Sequence, residues 1–593
     1  MRPLPILGAL VAGAIVLPAS AEAKCTVGQM LQLPVTMSGL RPMVPARING
    51  HDVRFIVDSG AFYSNISPGS AAELGLKLSE APGNMRVIGI GGETRISIAR
   101  VKDFGLGEAN LHNIEFMVGG GEMGGTGLLG QNVLGIGDVE YDLAGGAIRL
   151  MKSKDCSNTN LAYWASAKNL AVSVIEIDAP TPLEPHTAGT VLLNGVKIRA
   201  IFDTGAATTM ITRGAAARAG IKPDSVGVEP AGQSGGIGRR TYQSWTGPFQ
   251  SLKIGDEEIR KIRLRFADIN ETDFDMLIGA DFFLSHRVYV SNAQRRIFFT
   301  YNGGPVFDLS VRKAEAMAAA EEKDTSTAAK GGAAGPVTAQ EFSQRGNARA
   351  ARRDNKGALA DMSRAVELAP DNAEYRFQRG LALMIGGEPG NAMADLDRAL
   401  TIKPDYPEAL SLRASARLRT GDKAGSRADL ATLDRVLADA SDMRLSMGGY
   451  YQEMDDPASA IPQYDRWIAA HPADNRIPMA LNSRCWARAL IGKDLDKAIS
   501  DCDRALRLRP KTAAFLDSRG LARLRNGDLD KALADYNTAL ALEPKLAWSL
   551  YGRGLVEHRK GMTAQARADI DAAIALDKDL PEEIKKIGLE VPK

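Results

Sequence analysis

Histidine and tryptophan are scarce in this 593-residue chain, at six and five, and cysteine is scarcer still, at four. With so few imidazoles and thiols, spaced far apart, no metal site of the zinc type can be read from the sequence. An excess of one charge is also missing. The 73 Lys and Arg against 71 Asp and Glu leave a net +2, which gives no case for nucleic-acid binding. Long apolar runs are absent. Ile6 to Leu17 is the nearest to one, but it is short and broken by Pro18, so no stable membrane span is expected. What is present is ordinary for globular protein, 45% apolar and 24% charged, with length for three or four domains.

The first 23 residues read as a secretory signal. Arg2 supplies the positive charge, the Ile6–Leu17 run the apolar centre, and Ala21-Glu22-Ala23 a small-x-small cleavage pattern. A retained signal anchor is the alternative. Cys25 follows Lys24 rather than a small residue, which argues against a lipoprotein signal. A periplasmic or secreted location follows, and it makes disulfides possible. The four cysteines fall in two separated pairs; Cys25 and Cys156 bracket one stretch of chain like a staple.

Inside that stretch lies half of a duplication. Val53-Arg54-Phe55-Ile56-Val57-Asp58-Ser59-Gly60-Ala61 is answered by Ile198-Arg199-Ala200-Ile201-Phe202-Asp203-Thr204-Gly205-Ala206, 145 positions on (203 − 58). Asn49-Gly50 and Asn194-Gly195, at the same offset, each read as a hairpin turn feeding the aspartate strand. Gly89-Ile90-Gly91-Gly92 is answered by Gly235-Gly236-Ile237-Gly238. Leu128-Leu129-Gly130 is answered by Leu277-Ile278-Gly279. Tyr141 to Leu150 and Val290 to Phe299 read as closing strands. One lobe has been used twice, over residues 24–160 and 161–307, and its short β-branched runs between Gly and Asn predict a mainly β fold.

Residues 308–336 break the pattern and read as a linker, with Lys313–Lys323 of helical composition and a Gly/Ala-rich end. From residue 337 to 593 another repeat takes over. Prolines 370, 404, 472, 510 and 544 step by 34, 68, 38 and 34. Small residues recur with them: Gly346, Gly380, Gly448, Gly520 and Gly554, then Ala358, Ala392, Ala460, Ala498, Ala532 and Ala566. This pattern resembles the tetratricopeptide repeat, with about seven units of paired helices. The third unit departs from it, with Ser426 and Leu433 where Ala is expected. The resemblance implies an all-α solenoid that binds a protein or peptide partner. In the fifth unit Cys485 falls on the first helix and Cys502 on the second, facing positions that suit a disulfide.

The doubled Asp-Ser/Thr-Gly resembles the aspartic protease clan over roughly residues 30–305. Ala61, Ala206 and the two Gly-rich segments make it more similar to the retroviral (retropepsin) type than to pepsin. The resemblance implies an all-β bilobed pseudo-dimer with catalytic Asp58 and Asp203 on a polypeptide substrate. Ser59, Gly60, Thr204 and Gly205 would support the dyad, and Gly89–Gly92 and Gly235–Gly238 would be flaps. Two adjacent carboxyls share one proton, activate a water and polarise the scissile carbonyl, without metal or cofactor. Alanine after each triplet cannot donate to a carboxylate, so the acid optimum should be milder than pepsin's, above about pH 2. Two readings compete with an aspartic endopeptidase: a catalytically inactive peptide-binding scaffold, and an adaptor whose working part is the repeat array. A homodimer pairing each lobe with its twin is a further arrangement. Asp281 is assigned to structure, since Asn132 lies in the corresponding neighbourhood; His286 to surface or core; and Trp245 and Phe249 to core packing over a cleft wall.

Overall fold

The computed structural model describes residues 25–82, 86–89, 91–120, 124–166, 170–179, 181, 186–236, 240–269, 274–307, 336–472 and 474–589. The segment read as a signal, nearly all of the stretch read as a linker, and the flap candidates Ile90, Ile237 and Gly238 lie outside these.

The N-terminal half is two β lobes of matching topology. In the first, the sheet runs Arg41–Ile48, His51–Val57, Gly127–Leu129, Asn65–Ile66, Ala109–Val118, Ser97–Leu106. In the second it runs Ala188–Leu193, Val196–Phe202, Met276–Ile278, Met210–Thr212, Glu257–Ala267, Thr241–Ile254. Each strand has its counterpart in the same place. The hairpin turns explain why Asn-Gly is needed. Asn49 and Gly50 take φ of 49° and 86°, and Asn194 and Gly195 take 49° and 80°. Positive φ at both central residues suits the right-handed strand twist and disfavours most side chains. Each Asn also locks the turn to the next strand. Asn49 Oδ1 accepts from the amides of Lys102 and Asp103, and Asn194 Oδ1 from those of Gln250 and Ser251, at 2.8–3.2 Å.

The closing segments are hairpins rather than single strands: Asp138–Asp142 with Ala147–Lys154, and His286–Ser291 with Arg296–Tyr301. They meet each other. Val139 pairs with Val290 and Tyr141 with Val288, so one six-stranded sheet joins the lobes. Two buried carboxylates pin this seam. Glu140, fully buried, takes Arg149 and Arg287, one from each lobe, at 2.5 and 2.6 Å. Asp138 accepts from Tyr289 Oη and the Asn292 amide. Cys25 and Cys156 are disulfide-bonded beside the sheet's edge strand, Sγ to Sγ 2.23 Å.

From Ala339 the chain is helical, in seven pairs from Ala339–Ala351 with Asn355–Leu368 to Ala547–Arg559 with Thr563–Leu576, then a closing helix Leu580–Lys586. The small residues sit at helix crossings: a Cβ on Gly520 would lie 2.8 Å from the Tyr536 ring, and on Gly448 2.4 Å from Tyr464. The third pair forms despite its sequence. Ser426 and Leu433 are both fully buried, and Ala414 fills the place glycine takes in other units. Cys485 and Cys502 are disulfide-bonded across the fifth pair, at 2.06 Å. Among the described residues no helix is long and apolar enough to cross a membrane.

Candidate active site

Each aspartate follows the buried end of its strand. Phe55, Ile56 and Val57 are 0% exposed, and Phe55 packs on Phe104 and Phe116 with ring centroids 5.8 and 5.9 Å away. The next amide is tied down: Asp58 N donates to Leu129 O at 3.0 Å, and Asp203 N to Ile278 O at 2.8 Å. The apolar-apolar-Gly segments thus lie directly beside the aspartate loops. Gly130 and Gly279 are required there, because a Cβ would fall 2.8 Å from Ala61 O and 2.7 Å from Ala206 O.

The structure brings Asp58 and Asp203 together within the one chain. A Cβ on Gly60 would be 2.4 Å from Asp203 Cγ, and a Cβ on Gly205 2.3 Å from Asp58 Cγ. Each carboxyl therefore rests on the other lobe's glycine, and the two side chains are hydrogen-bonded to each other. Below them the hydroxyls cross over. Ser59 N donates to Thr204 Oγ1 at 3.1 Å and Thr204 N to Ser59 Oγ at 2.9 Å. Ser59 Oγ donates to Phe202 O and Thr204 Oγ1 to Val57 O, at 2.8 and 2.7 Å. These four buried bonds hold the loops in register, and removing one partner would strand a buried donor or acceptor.

The carboxyls differ electrostatically. Burial, and then the Asp203 charge alongside, raises the Asp58 carboxyl well above the ordinary carboxylate range. Burial raises Asp203 too, but hydrogen bonds from Asp58 and from backbone amides, including Gly205 N at 2.9 Å, oppose it. Burial raises both carboxyls, so the two titrate as one pair that holds a shared proton. Asp58 Oδ1 is buried without a hydrogen-bond partner among the described residues.

The glycine segments approach each other over the two lobes. Gly89 and Gly92 close a hairpin of Arg86–Gly89 and Gly92–Arg95. Gly235 pairs with Thr241 at the end of another, with Gly236 following it. Arg240 N donates to Gly91 O at 2.8 Å, joining the two.

Asp281 is a structural carboxylate. It is 1% exposed and accepts from the amide and hydroxyl of Thr209 at 2.7–3.0 Å. Asn132 does the same for Ser64 in the first lobe, at 2.7 and 2.8 Å. His286 is core: fully buried, stacked on Phe282, and facing Glu257 through Nε2. Phe249 is buried, and Trp245 stacks on Phe266 against the core.

Two features escaped the sequence reading. Tyr141, 2% exposed, places its hydroxyl at Ser59 near both carboxyls, and burial pushes its pKa up. Its signal was a polar side chain where the repeat carries Val290. Second, the residues after Ala61 are Phe62 and Tyr63, against Ala207 and Thr208 in the other lobe. Phe62 packs on His186 of the second lobe, centroids 6.3 Å apart. His186 precedes Thr187, whose carbonyl accepts from Phe202 N beside Asp203. Among the described residues no group of three or more His, Cys, Asp or Glu is placed to hold a metal.

Comparison with known proteins finds both kinds of unit in the chain. The family model described as Aspartyl protease matches residues 44–133 and 189–282. Those described as Tetratricopeptide repeat and TPR repeat match 343–407 and 520–561. No curated protein matches the chain. Similar solved structures include PilW, a type IV pilus biogenesis factor, at 18% identity, TM-score 0.30, over 36% of this chain and 97% of that one. YrrB, a TPR protein with an unusual peptide-binding site, is 18% identical, TM-score 0.29, over 34% and 97%. A tetratricopeptide repeat protein from Parabacteroides merdae is 16% identical, TM-score 0.33, over 42% and 99%.

Proposed function

We propose that this chain, a duplicated retropepsin-like aspartyl protease unit joined to tetratricopeptide repeats, is an exported endopeptidase using Asp58 and Asp203 as one dyad. The observation that carries the reading is the packing of each carboxyl on the opposing lobe's glycine, which no inert turn requires.

With one proton shared by the pair, one carboxyl serves as base and the other as acid, assigned in this reading to Asp203 and Asp58. Ionised Asp203 takes a proton from water as the water oxygen bonds to the scissile carbonyl carbon. Asp58 gives its proton to the carbonyl oxygen, yielding a neutral gem-diol. Asp203 then passes its proton to the amide nitrogen while Asp58 takes one from a diol hydroxyl. The C–N bond breaks and the dyad returns to its starting state. The joined glycine hairpins would close over the substrate and exclude water. The repeats would recruit the polypeptide or a partner. Export is supported by the signal pattern and by two disulfides.

Cleavage of unfolded casein and of a peptide library by the chain from Lys24 tests the chemistry. Asp58→Asn and Asp203→Asn should each reduce it at least about a thousandfold. Full activity in either variant would sink the dyad. Fractionation of cells making the whole sequence tests export; recovery with an intact N-terminus in the cytoplasm would contradict it.

A further inference from the structure

Far from the dyad, the last repeats hold a second constellation. Trp486 lies on the helix Ile477–Ile491, the first helix of unit five, and Trp548 on Ala547–Arg559, the first helix of unit seven. Neighbouring packed helices sit about 8–10 Å apart, so side chains two repeats apart meet only where the array curls toward them. These two indoles do meet, edge to face, with centroids 4.9 Å apart and planes at 80°. They therefore mark a concave stretch of the solenoid, and both remain partly exposed.

Between them runs the first helix of unit six, Ala513–Asn526, which carries Asp517. Ser549, next to Trp548, donates its hydroxyl to Asp517 Oδ1 at 2.5 Å. On the other side Ser518 O lies 3.9 Å from Sγ of Cys485, the neighbour of Trp486. Asp517 is thus held by the neighbour of Trp548, and the residue after it lies against the neighbour of Trp486. Asp517 is partly exposed, and among the described residues it has no ion pair. Elsewhere in the array the aspartates of the helix crossings are matched with arginine. Partial burial without a countercharge lifts the Asp517 carboxyl to about 6. No described Lys or Arg stacks on either indole.

We infer that Trp486, Trp548 and Asp517 form a receptor for a basic side chain, arginine or lysine, of a polypeptide bound along units five to seven. The carboxylate supplies the missing countercharge, and the indole faces supply cation–π attraction to a partly desolvated cation. The inference rests on the reading of the repeats as a polypeptide-binding surface, and it is independent of hydrolysis.

The test uses the full chain from Lys24 carrying Asp58→Asn, so that no probe is cut. The probes are a labelled nine-residue peptide alternating arginine and glycine, and its counterpart with citrulline, which keeps shape but not charge. Polarisation should show the arginine peptide binding at least tenfold tighter than the citrulline one. Asp517→Asn, which preserves an acceptor for Ser549, should remove that preference; Trp548→Ala should weaken the arginine peptide at least tenfold. Equal binding of the two peptides, no binding of the arginine peptide, or an unchanged preference in Asp517→Asn each overturns the inference. If unfolded casein still binds the Asp58→Asn chain in those cases, recruitment by the repeats stands and only the basic-residue receptor falls; if casein binding is absent too, both fall.

Discussion

At the scale of single residues, the two glycines opposite the carboxyls are the most constrained positions. A methyl at Gly60 or Gly205 would sit 2.3–2.6 Å from carboxylate atoms of the other lobe, so the opposing carboxyl would have to move. Gly60→Ala and Gly205→Ala are therefore expected to lower kcat by about a hundredfold or more, the cost of a misplaced reacting group, with the chain still folded by circular dichroism. The dyad also fixes the pH profile. Activity should rise as the pair loses its first proton and fall as it loses its second. Since burial raises both, the maximum should lie in the mildly acid range, and a maximum near about pH 2 would contradict this. Asp281 gives a separate test. Its carboxyl is raised to about 6 by burial, against about 4 in the unfolded chain. A raised carboxyl stabilises the fold below the unfolded value and loses that contribution as pH rises through the folded one. The gap corresponds to about 3 kcal/mol lost between about pH 4 and 6. Asp281→Asn, which copies Asn132, should flatten the pH dependence of the denaturation midpoint over that window. An undiminished slope would argue against it.

At the scale of elements, the repeat array is held by a ladder of ion pairs as well as by small residues. Arg345–Asp361, Arg379–Asp395, Arg413–Asp429, Arg519–Asp535 and Arg553–Asp569 each join the two helices of one unit, sixteen positions apart, and Arg484–Asp501 does so at seventeen. Unit four breaks the ladder. Met447 and Gln463 occupy the paired positions, both buried, and Arg444 turns instead to Asp434 and the Leu437 and Ala438 carbonyls. Asp429→Ala, which takes from Arg413 and Arg417 the buried carboxylate they share, should cost about 3–5 kcal/mol in chemical denaturation. Elements of this kind were readable in the sequence to different degrees. The Asn-Gly hairpins, the aspartate strands and the helix pairs show locally, because turn chemistry and periodicity are local. The closing hairpins were read as single strands, because Gly145 and Gly146 look like any glycines until the pairing of Asp142 with Ala147 makes them a turn. The six-stranded seam was not readable at all, since Glu140 and Arg287 are distant in sequence and meet only when the lobes pair.

At the scale of the whole molecule, the repeats are not merely tethered to the lobes. The first repeat helix, Ala339–Ala351, packs into the first lobe: Ala348 is fully buried in the same apolar cluster as Leu33, Val35 and Phe307. Gln344 lies against Gly146, and Arg352 donates to Gly303 O at 3.1 Å. Further along, Glu408 pairs with Arg54 at 2.7 Å, four residues before Asp58, but both side chains are substantially exposed. An exposed pair contributes about 0–1 kcal/mol, so Glu408→Ala should leave thermal stability nearly unchanged. The apolar helix is another matter, because its removal uncovers core. A chain spanning residues 24–307 should melt at least about 5 °C below one spanning 24–369, which keeps the first helix pair. Equal melting temperatures would show that the protease unit completes its own core, and that the first repeat rests on it without contributing to its stability.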